Sequence, residues 1–203
     1  MTIADLAQPT SAPAPRPGRR GHSVVIGVSI ALLLGAGGVT GATYYYDSVP
    51  LAESTVTHPV VTVAELPPAV ANAFVAAVDP GFYSSDDSPL TRRYVEIAAG
   101  AEPGLRTRIM ARKAESAYPK EEILERFLNR ADYGRGAIGL VTAARTYFQK
   151  APAQLSVPEA ALLAVQLDPD HPAPKDGWEQ ILDTMVDRGW LSPGARDTFT
   201  YPA

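Results

Sequence analysis

The apolar positions of this 203-residue chain follow two different patterns. Between Ser23 and Thr43 the run SVVIGVSIALLLGAGGVTGAT carries no charge. About 20 such residues cross the hydrocarbon core of a bilayer as a helix. From Pro67 onward the apolar residues recur every three or four positions, the period of one helix face. Pro67 and Pro68 open a first helix with Val70, Phe74, Ala77 and Val78 on one side. Ser88 and Pro89 start a second, containing Leu90, Tyr94 and Ile97, and Leu105, Ile109 and Met110 suit a third. Pro119, Glu121 and Glu122 mark the start of a fourth, which carries Ile123, Leu124, Phe127 and Leu128. Ala137 to Phe148 is helical by pattern. Ser156 and Glu159 form a capping box ahead of AALLAVQL. Asp176 to Glu179 begins a last helix that ends at Gly189. Little alternates with period two, and no segment repeats. The predicted fold class is mostly α, with one core after Pro67.

The flanks of the apolar run orient it. Arg16, Arg19 and Arg20 precede it, and the first acid after it is Asp47. The positive-inside rule puts the N-terminus in the cytoplasm. Tyr44, Tyr45 and Tyr46 follow where an aromatic belt lies. The expected organisation is a disordered cytoplasmic tail over 1–22, a single-pass transmembrane anchor over 23–46, an extended linker over 47–66 and an extracytoplasmic domain over 67–203. The tail is rich in Pro and Ala and lacks apolar periodicity. The competing reading is a cleaved leader with its apolar centre at Val24 to Leu34. The length of the stretch and its aromatic end favour the anchor, and both readings export the remainder.

Composition adds little. The formal charge of -4 is too small an excess to imply a nucleic-acid partner. With no cysteine, neither a disulfide framework nor a thiolate metal site is possible. Gly134, Gly136 and Gly139 spell G-x-G-x-x-G, with Glu159 where a ribose-binding acid belongs. A dinucleotide fingerprint follows a strand, whereas EEILERFLNR before it has helical spacing. The expected structure is a tight turn between closely packed helices, with Glu159 at a helix N3 position.

The stretch from Pro119 to Lys150, PKEEILERFLNRADYGRGAIGLVTAARTYFQK, resembles glycosyltransferase family 51. This is the peptidoglycan transglycosylase domain of bifunctional penicillin-binding proteins and monofunctional transglycosylases. The family pattern there is K-x-x-I-L-E-x-Y-L-N, then G-x-G-x-x-G, then A-A-x-x-Y-F-x-K. Lys120, Ile123, Leu124, Glu125, Leu128 and Asn129 match in register, then the three glycines, then Ala143, Ala144, Tyr147, Phe148 and Lys150. LSVPEAALLAVQLDPDHPAP and ILDTMVDRGWLSPGA resemble the family's later segments, and ELPPAVANAFVAAVDPGFY resembles the entry to its first motif. The resemblance spans about Glu65 to Ala195. It implies a lysozyme-like, mostly helical fold and polymerisation of glycan strands from lipid II, a membrane-bound undecaprenyl-pyrophosphate disaccharide. One carboxylate acts there as general base and a second assists near the leaving group. A basic cleft, sometimes with a divalent metal, stabilises the departing pyrophosphate. No cofactor is otherwise implied. The implied partners are lipid II or glycan, the membrane and other cell-wall synthases.

The chain departs from the family at the chemistry. The first motif, E-D-x-x-F-x-x-H-x-G, meets Val78, Asp79 and Phe82, so the base position holds a residue that takes no proton. Its His and final Gly meet Ser85 and Asp87. The second motif, S-T-x-T-Q-Q-x-x-K-N, keeps Ser88 and Thr91, replaces both glutamines with Arg92 and Arg93, and reverses its lysine to Glu96. A stretch of the family's cleft between these motifs is absent. The third motif, R-K-x-x-E, places its glutamate on Thr107 by counting back from Lys120, and Glu115 falls on a second, non-catalytic acid. Asp79 is the nearest candidate acid, although one residue along a helix is a rotation of about 100°. Asp86 and Asp87 are others, with the alternative of solvated loop acids beside the Ser88 helix start. Phe82, Ser88, Thr91, Arg92, Arg93, Arg106 and Arg108 are the candidate substrate-binding residues. With Arg112 and Lys113, the arginines form either a diphosphate site or a solvated helix face.

Three readings follow. The chain is a degenerate transglycosylase that binds lipid II, glycan or a synthase without polymerising; or an active enzyme with relocated acids; or an envelope scaffold that binds no glycan. The sequence ends at Ala203, so no transpeptidase domain is expected after this region.

Overall fold

The computed structural model describes residues 39–51, 56–168 and 174–202. The chain divides into two compact units, Met1–Ser48 and Val49–Ala203. In the first, residues 39–48 are helical. Thr43 and Ser48 donate their hydroxyls back to the carbonyls of Val39 and Tyr45. The expected tail over 1–22, and the expected anchor as far as position 38, lie outside the described residues. Among the described residues no helix is long and apolar enough to cross a membrane.

The second unit is mostly α, as the apolar periodicity predicts. Its helices are α1 (Pro68–Val78), α2 (Pro89–Ala99), α3 (Leu105–Ala117), α4 (Lys120–Leu128), α5 (Leu140–Phe148), α6 (Val157–Val165), α7 (Pro174–Asp187) and α8 (Pro193–Asp197). Single 3-10 turns lie at Val63–Glu65, Phe82–Ser84 and Pro152–Gln154. The described residues contain no strand, only an isolated antiparallel bridge between Asp132 and Ile138. Proline stands at the start of α1, α2, α6 and α8. There its missing N–H removes a donor the helix would leave unpaired. Helix α5 starts at Leu140 rather than Ala137, because Ala137 is spent closing the glycine turn: its N–H donates to Gly134 O at 2.9 Å.

Helices α1 and α6 form the centre. Both are apolar nearly all round, which is the pattern of a helix buried on every side. Ala71, Ala73 and Ala76 of α1 and Ala160, Ala161 and Ala164 of α6 are buried, so small side chains line both helices where they pack together. Helix α7 covers this pair with Trp178, Ile181, Leu182 and Met185. Helices α2, α3 and α4 pack on one another as a second group. Phe74 is fully buried and meets the edge of Tyr133 at 6.1 Å between ring centres. Cutting such a ring to a methyl group costs about 3–5 kcal/mol.

Part of the segment expected as a linker is built into the core. Val61 and Leu66 are buried. Asn129 accepts from Val61 N at 3.0 Å and donates to Val61 O at 2.8 Å, so one side chain satisfies both backbone groups as a neighbouring strand would. Glu125 accepts from Val63 N at 3.2 Å.

Candidate functional site

Five polar or charged residues are buried among the described ones: Asp79, Ser88, Thr91, Thr107 and Asn129. A buried polar group without a partner costs about 1–3 kcal/mol, so each needs one. The first three belong to a continuous network. Asp79 ends α1 and turns the chain: its Oδ1 accepts from Gly81 N at 3.0 Å, and its carbonyl accepts from Phe82 N at 3.0 Å. Its Oδ2 accepts from Ser88 Oγ at 2.6 Å. Ser88 is the N-cap of α2, accepting from Thr91 N at 3.2 Å. The Thr91 hydroxyl donates to Glu115 at the end of α3. Glu115 Oε2 lies 2.6 Å from Lys120 Nζ at the start of α4. Lys120 donates to Ser85 O at 2.5 Å and sits 4.7 Å from the centre of the Phe82 ring. This relay ties the ends of four helices to the Phe82–Ser84 turn.

Both oxygens of Asp79 are thus engaged by the turn and the cap. Thr107, where the resemblance places the third motif's glutamate, is equally occupied. Its hydroxyl donates to Gly104 O at 3.0 Å and accepts from Gly104 N at 2.9 Å, closing the first turn of α3.

Two pockets lie outside this relay, none of whose residues lines either, and each is in the size range of small-molecule sites. One, of about 430 Å³, lies between the ends of α1 and α6 and the side of α7. Val78, Pro80, Arg93, Asp168, Gln180 and Ile181 are among its walls. The other, of about 470 Å³, is lined by Arg93, Ile97, Arg130, Asp132, Gly134 and Gln166, with others. Arg93 is common to both. It is half-buried and donates to the carbonyl of Leu167, which also borders both pockets. Burial pulls the Arg130 guanidinium below its ordinary range, although nearby Tyr94 opposes this.

The arginine cluster expected from the sequence is divided. Arg92 pairs with exposed Asp87 at 2.8 Å. Arg93 turns to the pockets. Arg106 and Arg108 are exposed on α3 and line neither pocket. Asp86 and Asp87 are exposed, and Asp86 lines neither pocket. Sequence reasoning missed Asp168, the acid in the first pocket, and Arg130, Asp132 and Gln166 in the second. The signal for Asp168 and Gln166 was present: they are the first polar residues after the apolar run of α6.

No three histidine, aspartate or glutamate side chains among the described residues are grouped so as to hold a metal ion.

The turn over Gly134–Gly139 joins α4 to α5 without a preceding strand. Gly134 N donates to Asp132 Oδ1 at 2.8 Å, and Tyr147 donates to Tyr133 O at 2.6 Å beneath it. Gly139 has φ +78, and a Cβ there would meet His58 at 2.7 Å and Asn129 O at 2.9 Å. Only glycine fits so close a backbone approach. This is helix-to-helix geometry, not a pyrophosphate cradle.

Residues 101–186 match the model of the transglycosylase family. Penicillin-binding protein 1A of Mycolicibacterium smegmatis is 30% identical over 182 positions, which take in 70% of this chain and 23% of that protein. Penicillin-binding protein 1A of Mycobacterium tuberculosis is 29% identical over 181 positions, 70% of this chain and 22% of that protein. The chain carries a domain of the transglycosylase family, glycosyltransferase family 51. It spans under a quarter of the length of these two relatives. The family match begins in the turn after α2, so the transglycosylase signature is written in the scaffold from α3 to α7. The segments holding Val78, Asp79 and the arginines in place of glutamines precede it.

Proposed function

We propose that this chain is a membrane-anchored member of the peptidoglycan glycosyltransferase family that holds lipid II or a glycan strand without polymerising it. The observation that carries the reading is the fate of the two carboxylate positions. Val78 offers the pocket a hydrocarbon wall, and the Thr107 hydroxyl is consumed within its own helix. Asp79, the nearest acid, is buried, lines neither pocket, and accepts from Gly81 and Ser88. A general base must reach the proton it removes; Val78 can take none, and neither Thr107 nor Asp79 faces a pocket. What the site retains is a guanidinium, Arg93, between two pockets, a group suited to phosphate or to sugar oxygens.

On this reading residues 67–203 take a lysozyme-like transglycosylase arrangement. The run over 23–46 is a single transmembrane helix with the N-terminus in the cytoplasm. The domain acts at the outer face of a bacterial cell membrane, beside other cell-wall synthases. Full-length protein in lipid discs, incubated with fluorescent lipid II, is expected to yield no polymer while a penicillin-binding protein control does. The same protein is expected to bind the lipid II saturably, and Arg93→Ala to weaken that binding. Polymer from the wild-type chain would sink the reading. Absence of saturable binding would leave a scaffold that takes no glycan.

One observation favours a second reading, an active enzyme with a relocated acid. Asp168 shares the first pocket with Val78 and Arg93. If polymer forms and Asp168→Asn abolishes it while Asp79→Asn does not, Asp168 is the base.

A further inference from the structure

We infer that the outward face of α3 is a docking surface for an anionic phospholipid bilayer. The helix reads LRTRIMARKAESA. Thr107, Met110, Ala111 and Ala114 are buried and hold it to the domain. On the opposite side stand Leu105, Arg106, Arg108, Ile109, Arg112 and Lys113. Leu105 is 66% exposed, a large amount for a leucine. Arg106, Arg108 and Arg112 are exposed, and Ile109 partly so.

The charge on this face runs against the rest of the molecule. The chain is net -4, yet from 105 to 113 there are four cations and no acid. The exposed acid nearest in sequence is Glu102, in the turn before the helix, and Glu115, in the last turn of the helix itself, points inward to Thr91 and Lys120. No carboxylate among the described residues pairs with Arg106, Arg108 or Arg112. Cations flanking bulky apolar side chains on one helix face are the composition of a helix that lies at a lipid interface. Their long stems bury against acyl chains while the charges reach the headgroups. A soluble acidic partner would answer the arginines but not the bare leucine between them.

The place of the helix agrees. Lys113 Nζ donates to Val49 O at 2.6 Å. Val49 follows Tyr46 by three residues, a reach of about 10 Å even fully extended, comparable with the Debye length at physiological salt. This last step, alone, rests on the anchoring reading above.

The chain has no cysteine, so Ser116→Cys gives a single labelling site. Ser116 is exposed at the far end of the same face, and its hydroxyl bonds within its own helix. The full chain, carrying an environment-sensitive fluorophore there, is placed in discs of phosphatidylcholine alone or mixed with phosphatidylglycerol. The expected result is a blue shift and protection from aqueous iodide in the mixed discs, reversed by high salt. The triple variant R106E/R108E/R112E, checked for an unchanged melting curve, should lose the shift, and Leu105→Ser should lose part of it. A label at Arg188→Cys, after α7, should not respond to the lipid. Equal emission in the two lipids, or a shift that survives charge reversal, overturns the inference. Co-purification with the discs reads the anchor separately. A chain that stays outside them refutes the anchor, and mixed vesicles added to that labelled chain must still give the salt-sensitive shift, or the docking surface fails too.

Discussion

Ser88 donates its hydroxyl to Asp79 Oδ2 at 2.6 Å, and this one bond fastens the end of α1 to the N-cap of α2. Two residues that a transglycosylase motif would offer as chemistry are here joined as structure. Ser88→Ala removes the cap from α2 and strands a buried carboxylate oxygen. The expected loss is about 1–3 kcal/mol, read as a lowered midpoint in denaturant. Asp79→Asn keeps an acceptor for Gly81 N but replaces the Oδ2 acceptor with an amide donor, which the Ser88 oxygen can accept in reverse, so it should destabilise less. Neither change should alter the affinity of the folded protein for a lipid II analogue. A large drop in affinity at unchanged stability would instead make Asp79 a substrate contact.

Val78 and Thr107, where the resemblance places glutamates, should respond oppositely to an introduced glutamate. Val78 is half-buried on a pocket wall, so Val78→Glu can direct its carboxylate to water and should move the melting temperature little. Thr107 is 2% exposed and closes the first turn of α3. Thr107→Glu must bury a larger, charged group and give up both bonds to Gly104. Several kcal/mol of destabilisation are expected, of the order seen for unpaired buried charge. Thermal unfolding of the two variants checks the contrast. Comparable melting temperatures would show that the third-motif position still accommodates an acid.

Local chemistry made much of this fold legible. The Pro-led starts of α1, α2 and α6, the pairing of Ser156 with Glu159 and the tight glycine turn all lie within a few residues of their causes. The site was harder to read because its contacts are long-range. Asn129 pins Val61 from 68 positions away, which no periodicity announces. Arg92 and Arg93 look alike in the sequence. One residue of helical rotation sends the first to Asp87 in solvent and the second to Leu167 between two pockets. The place of Asp168 and Gln166 on pocket walls depends on where α6 stops relative to α1 and α7.

Glu159 gives the fold a predictable acid sensitivity. Burial opposes its charge, but the bonds from Lys150 Nζ at 2.7 and 3.0 Å and from Ser156 N and Oγ more than offset this. Its carboxyl is held below the ordinary value of 4.5. A depressed folded-state pKa contributes stability that is fully present above the unfolded value and is lost as pH falls through the folded one. The gap in urea midpoint between wild type and Glu159→Gln should therefore be constant at neutral pH, narrow once pH drops below about 4.5, and close in stronger acid. A gap independent of pH down to strong acid would mean that hydrogen-bond geometry, not charge, sustains the cap.

The glycine turn separates strain from crowding. Gly136 and Gly139 have nearly the same backbone angle, φ +72 and +78, but different surroundings. A Cβ on Gly136 would meet nothing within 4 Å, so Gly136→Ala carries only the cost of a left-handed alanine, about 1–2 kcal/mol. On Gly139 the same methyl group would meet His58 at 2.7 Å and the carbonyl of Asn129 at 2.9 Å. The half-buried His58 ring can rotate away, but the carbonyl belongs to the backbone at the end of α4. That same residue holds Val61 with its side chain. Gly139→Ala should thus cost clearly more than Gly136→Ala, and should also loosen the 56–66 segment. Hydrogen exchange at the amide of Val61 reports this directly: faster in Gly139→Ala, unchanged in Gly136→Ala. Equal exchange in the two variants would mean that Asn129 tolerates the shift and that the close packing of this turn is not what seats the segment.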